Sequence, residues 1–246
     1  MNHSNITGNM SANATELAGP PGSMLVRGAE SLWWLATTLL TYFAAFVGLS
    51  VTMVYFKQEG MLYHPCVPSE KYRYPKNMPA GYRNPEEYQM KYRDVEIVTK
   101  DKVKLHAWFV KANAEDPKSC RTLIFFHGNA GNVGSRLPNI EILVKRTNTN
   151  VLILAYRGYG DSEGSPSEEG LGLDAEATLE YALNDDEINN DRIFVFGRSL
   201  GAAVAARLAS EKSNHLQGII LENGFCSIAD MVDHLMPMVA KFKFLI

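Results

Sequence analysis

The amino-acid sequence predicts an α/β domain built on a mostly parallel sheet and preceded by one membrane-spanning helix. Three observations carry this. Four short, uninterrupted apolar runs, TLIFFHG (122–128), VLILAYRG (151–158), RIFVFG (192–197) and GIILEN (218–223), end in Gly or polar turns, the pattern of parallel strands covered on both faces. Helix-length segments at 135–146, 168–183 and 200–212 lie between them, so strands alternate with helices as in successive βαβ units. Upstream, residues 32–56, LWWLATTLLTYFAAFVGLSVTMVYF, carry no charge and exceed the ~20 residues that cross the hydrocarbon core as a helix.

The elements follow in order. Residues 1–31 form a polar tail, rich in Asn, Ser, Thr, Gly and Pro in its first part, whose composition predicts disorder. In the membrane segment, Trp33 and Trp34 at one end and Tyr55 at the other suit the two interfaces, with Glu30 and Lys57 as polar limits. A cleaved signal peptide would have a basic start and a shorter apolar run, so the expected location is a single-pass membrane protein. Basic residues are sparse before the segment (Arg27) and denser after it (Lys57, Lys71, Arg73, Lys76), which favours a cytosolic domain. The N-x-S/T sequons at Asn2, Asn5, Asn9 and Asn13 agree, but such sequons arise easily in a tail of this composition. The identity of the membrane and the side the domain faces stay open.

Residues 57–89 show no sustained period and read as a connector, after which residues 90–246 form the globular domain. DVEIVT (94–99) and VKLHAWFV (103–110) flank the turn KDK and predict an antiparallel hairpin. The last segment, 227–246, starts as a helix capped at Ser227 with Asp230 three residues on, and Pro237 ends or kinks it. Across 246 residues the formal net charge is −3 and the pI about 6.1; with no broad basic face, nucleic-acid binding has no electrostatic support. The three cysteines, Cys66, Cys120 and Cys226, fit neither a disulfide framework nor a metal or redox pair.

The chemistry concentrates where strands end. Gly197-Arg-Ser199-Leu-Gly201 is a G-x-S-x-G motif between a strand and a small-residue helix, the place where a sharp turn exposes a serine oxygen. The helix start directs free N–H groups and the positive end of its dipole at charge developing on an acyl group attacked by Ser199. The Gly-rich stretch His127-Gly-Asn-Ala-Gly-Asn132 follows the first parallel strand and would turn a second N–H, that of Asn129, to the same point as the N–H of Leu200. A phosphate-cradling loop would need G-x-x-x-x-G-K-[ST], which is absent. His127, ahead of the serine, reads as a turn-fixing residue. Asp161, in Tyr156-Arg-Gly-Tyr-Gly-Asp-Ser-Glu-Gly164, reads as a turn residue before a catalytic acid.

Taken together, FFHGNAGNVGSRLPN, YRGYGDSEGSPSEEGLGLDAEA, IFVFGRSLGAAVA and ILENGFCSI resemble the α/β-hydrolase superfamily, and within it the Bem-type hydrolases. The resemblance covers residues 94–228 and implies an α/β-hydrolase fold on a single-pass anchor, with Ser199 as nucleophile and Asn129 and Leu200 as oxyanion donors. It implies no cofactor and no metal. The implied partners are an acyl ester or thioester, including an S-palmitoylated protein, and a membrane. The family completes its triad with an Asp after a further strand and a late His in a Gly-rich loop. Neither follows Ser199 here, so the chain is expected to be a fragment lacking acid and base, inactive alone; the alternative is a catalytically silent, membrane-anchored binding protein. His215 should sit at the wrong end of its strand, His234 on a solvated helix face, and Glu222 is the better-placed carboxylate. Two smaller departures from the family are Ala202, usually Gly, and Gly224, commonly Thr.

Overall fold

The computed structural model describes residues 21–225, in two compact units that divide between Phe56 and Lys57. The first unit is helical. Helix α1, Pro21–Leu62, contains the uncharged run and extends past both of its expected limits, into the stretch read as tail and into the connector. Proline is tolerated at a first helical position, and beyond it the two glycines Gly22 and Gly28 are the strongest helix-disfavouring residues before the apolar run. At the other end Pro65 biases His64 away from helical backbone. The hydroxyls of Thr37, Thr41, Ser50 and Thr52 donate to carbonyls one turn back, so these four find partners within the helix itself, as a lipid surrounding would require. Within Val26–Lys57 an 18-residue stretch reaches a mean hydropathy of 1.8, and the span is long and apolar enough to cross a membrane. The first twenty residues and the segment from Ser227, with its expected helix and His234, lie outside the described residues.

The second unit holds a six-stranded sheet: β1 (Tyr92–Val98), β2 (Lys104–Val110), β3 (Thr122–Phe126), β4 (Asn150–Leu154), β5 (Ile193–Arg198) and β6 (Gly218–Glu222), in the spatial order β1-β2-β4-β3-β5-β6. The hairpin β1–β2 pairs antiparallel around the expected turn, and β2 also runs antiparallel to β4. From β4 through β3 and β5 to β6 the pairing is parallel. Helices α2 (Leu137–Thr147), α3 (Glu168–Asn184) and α4 (Leu200–Lys212) make the crossovers. Strand periodicity sends alternate side chains to opposite faces. Ile124, Phe126, Leu152, Leu154 and Phe109 join Leu171, Leu179, Ala205 and Leu208 of α3 and α4 in one core. Phe125, Val151, Ile153, Trp108 and Val110 meet Leu137, Ile140 and Val144 of α2 in the other.

One expectation fails in part. GIILEN reads as a strand covered on both faces, yet in β6 Ile219, Ile220 and Leu221 are 40%, 50% and 50% exposed. Among the described residues β6 is an edge strand paired only with β5, so an apolar run does not by itself secure two covered faces. The connector departs in the opposite sense. It folds into short 3-10 turns at Glu70–Tyr72, Pro75–Asn77 and Pro85–Tyr88, and Tyr63, Pro75 and Pro85 are buried.

The chain after β4 is fastened by a buried ion pair. Arg157 donates from its backbone N–H and its Nε to the Asp174 carboxylate, at 2.8 Å each, and from Nη1 and Nη2 to Asp101 at 2.8 and 3.1 Å. Asp174 is wholly buried. The hydrogen bonds from Arg157, with that of Thr99 next, draw the Asp101 carboxyl down to about 2. This folded value lies below the ordinary ~4 of an aspartate, so the pair adds stability above that pH and loses it as pH falls toward 2. Asp174→Ala, which strips a buried guanidinium of one partner, should cost about 3 kcal/mol in a denaturant or thermal melt. Asp101→Asn, at a more exposed pair, should cost no more than about 1 kcal/mol at pH 7, and its melting curve should converge on the wild-type curve toward pH 2.

Candidate functional site

Strand β3 lies between β4 and β5, so chain direction across the sheet reverses at β3, and ligand sites of open α/β sheets form outside the carboxyl ends of strands at such a reversal. The segments leaving β3 and β5 there are His127–Asn132 and Ser199. Ser199 joins β5 to α4 with φ 53° and ψ −117°, a left-handed backbone rarely held by a non-glycine residue. The turn is forced by close packing. A Cβ on Gly197 would lie 2.1 Å from the Gly201 carbonyl oxygen, and one on Gly201 would lie 2.0 Å from that of Phe126. Only glycine at both positions lets α4 start against β3.

The departures at 202 and 224 belong to the same packing. A Cβ on Gly224 would come within 3.1 Å of the Ala202 Cβ, so the two positions, separate in the sequence, share one packing contact.

Around Ser199 the backbone is directed. Its own N–H donates to the Glu222 carbonyl at 2.9 Å, and its carbonyl accepts from Ala202. Gly128 lies against it, with the Ser199 Cβ 3.6 Å from where a Gly128 Cβ would be. The N–H groups of Asn129 and Leu200 donate to no protein acceptor among the described residues. Ser199 is half-buried, and its Oγ likewise has no hydrogen-bond partner among them. Such an arrangement can present a hydroxyl and two N–H donors to one carbonyl group.

His127 occupies the position of a turn-fixing residue. It is fully buried, lies 4.4 Å by ring centroid from Tyr156 and 5.4 Å from Tyr159, and its Nδ1 bonds the Gly128 carbonyl at 2.7 Å. Burial, with the Arg136 charge next, drives its pKa down to about 3, so it is neutral at pH 7. Its Nε2 has no partner among the described residues. Arg136 donates to the Ala130 carbonyl and lies 3.4 Å from that of Gly128.

The other candidates separate. His215 ends the turn before β6, at the amino end of that strand and away from Ser199. Glu222 ends β6 beside Ser199, but its side chain faces Arg198 at 3.9 Å. Asp161 is exposed and borders a surface depression of about 290 Å³ with Asp94, His106 and Trp108; Ser199, Asn129 and Leu200 do not line it. The side chain of Asn129 has a role the sequence reading did not assign. Its Oδ1 accepts from Tyr159 Oη at 2.7 Å and from the His64 N–H at 3.1 Å, and its Nδ2 donates to the Leu62 carbonyl. The partners from Leu62 and His64 are backbone groups, which leave no side-chain signal in a sequence. Asp174 did leave one, as a lone carboxylate on the apolar side of GLGLDAEA.

Two substitutions test the elbow. Gly201→Ala should prevent stable folding, because no rotamer moves a Cβ off a backbone oxygen. Ser199→Gly should melt higher than Ser199→Ala by about 1 kcal/mol, since glycine alone relaxes the positive φ.

The family model described as serine aminopeptidase, S33 matches residues 117–245. Protein bem46 of Schizosaccharomyces pombe is 42% identical over 168 residues, covering 67% of this chain and 56% of its own length. The alpha/beta hydrolase domain-containing protein WAV2 of Arabidopsis thaliana is 39% identical over 202 residues, 81% of this chain and 62% of its own. The protein named uncharacterized membrane protein YNL320W, of Saccharomyces cerevisiae, is 33% identical over 218 residues, 87% and 71%. The chain thus spans between 56% and 71% of the length of these three relatives. Among solved structures, the Pyrococcus furiosus esterase Pf2001 superposes with a TM-score of 0.53 at 26% identity, covering 65% of this chain and 64% of that one. By fold, by family model and by these relatives, the chain belongs to the α/β-hydrolase superfamily, in the family described as serine aminopeptidase, S33.

Proposed function

We propose that the chain carries the nucleophile and oxyanion site of a membrane-anchored serine hydrolase acting on acyl esters or thioesters, with S-acylated protein as the favoured substrate class. The observation that carries this reading is the left-handed Ser199 between β5 and α4, with Gly128 packed against it and the N–H groups of Leu200 and Asn129, the residues that follow each, without a protein acceptor among the described residues. In the first step the Ser199 Oγ bonds to the substrate carbonyl carbon while its proton passes to a base. The electron pair of the C=O moves onto oxygen, where the two N–H groups hold it. Collapse expels the alcohol or thiol, which takes up that proton, and water then releases the acid by the same route. His127, neutral and buried, is not that base, and no role of base is assigned to His215 or Glu222. The solved relative titled an esterase supports the ester class.

The anchor supports the choice of substrate. The apolar side chains of α1, among them Trp33, Trp34, Phe43 and Phe46, are 73%, 69%, 64% and 67% exposed, a surface that lipid accommodates and water does not. A single-pass anchor would confine the chain to a membrane, where S-acylated proteins are also held. One observation favours the second reading, a silent binding protein: the Ser199 Oγ has no hydrogen-bonded base among the described residues.

A fluorophosphonate probe applied to membranes holding the full chain separates the two. Ser199-dependent labelling, lost in Ser199→Ala, supports the hydrolase reading and requires a base from outside the described residues to reach Ser199. Absence of labelling in the wild type, with the chain folded and in the membrane fraction, supports the binding reading instead.

A further inference from the structure

The loop that carries Asn129 has few hydrogen bonds to the sheet that presents it. Besides Arg136, Tyr156 and Tyr159, its fixings come from the segment at the end of α1. The Asn129 amide is held at both ends, Nδ2 by the Leu62 carbonyl and Oδ1 by the His64 N–H as well as by Tyr159. The Gly131 N–H donates back to the His64 carbonyl at 3.3 Å. Farther along, the Asn132 Nδ2 donates to the carbonyls of Tyr72 and Arg73 at 2.8 and 3.2 Å. The backbone of 62–73 thus supplies donors and acceptors to three residues of the loop, in a stretch the sequence assigned to a connector outside the domain.

We propose that Leu62–His64 is a positioning strap for the oxyanion loop: by locking the Asn129 amide and the Gly131 N–H it sets the direction of the Asn129 N–H toward Ser199, and so ties catalytic competence to the end of helix α1. The loop has no ladder bonds of its own, so the direction of an N–H within it follows from whatever holds its neighbours. Gly128, which precedes Asn129, rests on Ser199, so a shift of the Asn129 amide is transmitted to the site within one residue. Oxyanion donors act through placement, and misdirection of one costs rate while binding is preserved. The catalytic half of the inference rests on the hydrolase reading; the structural half does not.

The full chain in membranes or detergent is compared as wild type, Asn129→Ala, and a Gly-Gly insertion after Tyr63 that leaves every site side chain in place but prevents Leu62 and His64 from bonding Asn129 together. Hydrogen exchange is followed in peptides covering 62–66, 128–132, β3 and β5, together with the saturation kinetics of fluorophosphonate labelling. Both variants should exchange at least tenfold faster in 62–66 and 128–132 with β3 and β5 unchanged. Maximal labelling rates should fall about tenfold to a hundredfold with the half-saturating probe concentration unchanged. Unchanged exchange in 128–132 overturns the strap. Faster exchange with undiminished maximal labelling overturns its positioning role. A variant whose β3 and β5 peptides also lose protection assigns the bonds to general stability and overturns the proposal. A wild type that resists labelling sinks the hydrolase reading and the catalytic half with it, while the exchange results still decide whether the strap holds the loop.

Discussion

The approach of helix α4 to the end of strand β3 is the constraint on which the rest of the site depends. The carbonyl oxygens of Phe126 and His127 occupy the space a side chain at position 201 would need, so α4 begins against β3 with no intervening atoms. That closeness obliges β5 to reverse within one residue and places Ser199 in a backbone region that costs of order 1–3 kcal/mol. The same closeness brings Gly128 against the serine, since it continues the strand that α4 touches. Ala202 and Gly224 extend the rule one residue outward.

What holds the loops after β3 and β4 at this sheet edge is a set of polar contacts made by residues that do no chemistry. Tyr156 donates to the His127 carbonyl at 2.9 Å, Tyr159 donates to the Asn129 side chain, and Arg157 between them is anchored in the buried carboxylate of Asp174. The YRGYG loop is thereby joined to the loop after β3 on one side and to α3 on the other. His127 fits this scheme. Wedged among aromatic rings and neutral, it shapes the chain between strand and site without exchanging protons with it.

Much of this was legible in the sequence. Strands β1 to β6 and helices α2 to α4 lie within a few residues of the limits set by apolar periodicity and by Gly and polar punctuation, because those signals are local. The G-x-S-x-G turn was legible for the same reason: its two glycines answer steric demands within five residues. The coverage of β6 was not, because GIILEN carries the same apolar text whether a strand is central or at an edge. Nor were the limits of α1, where a polar stretch continues a helix that its charge-free run nucleates.

By itself, the sequence determined the alternation of strands and helices, the charge-free span, the position of Ser199 and the superfamily, all of which rest on contacts between near neighbours. Only the tertiary structure decided that β2 pairs with β4, that Asp174 receives Arg157, that Gly224 packs on Ala202, and that the backbone of Leu62 and His64 holds Asn129. In each of these the partners are far apart in the chain, and in the last they are main-chain groups common to every residue type. A side-chain alphabet has no letter for a carbonyl oxygen or an amide N–H; where those groups meet is settled by the fold.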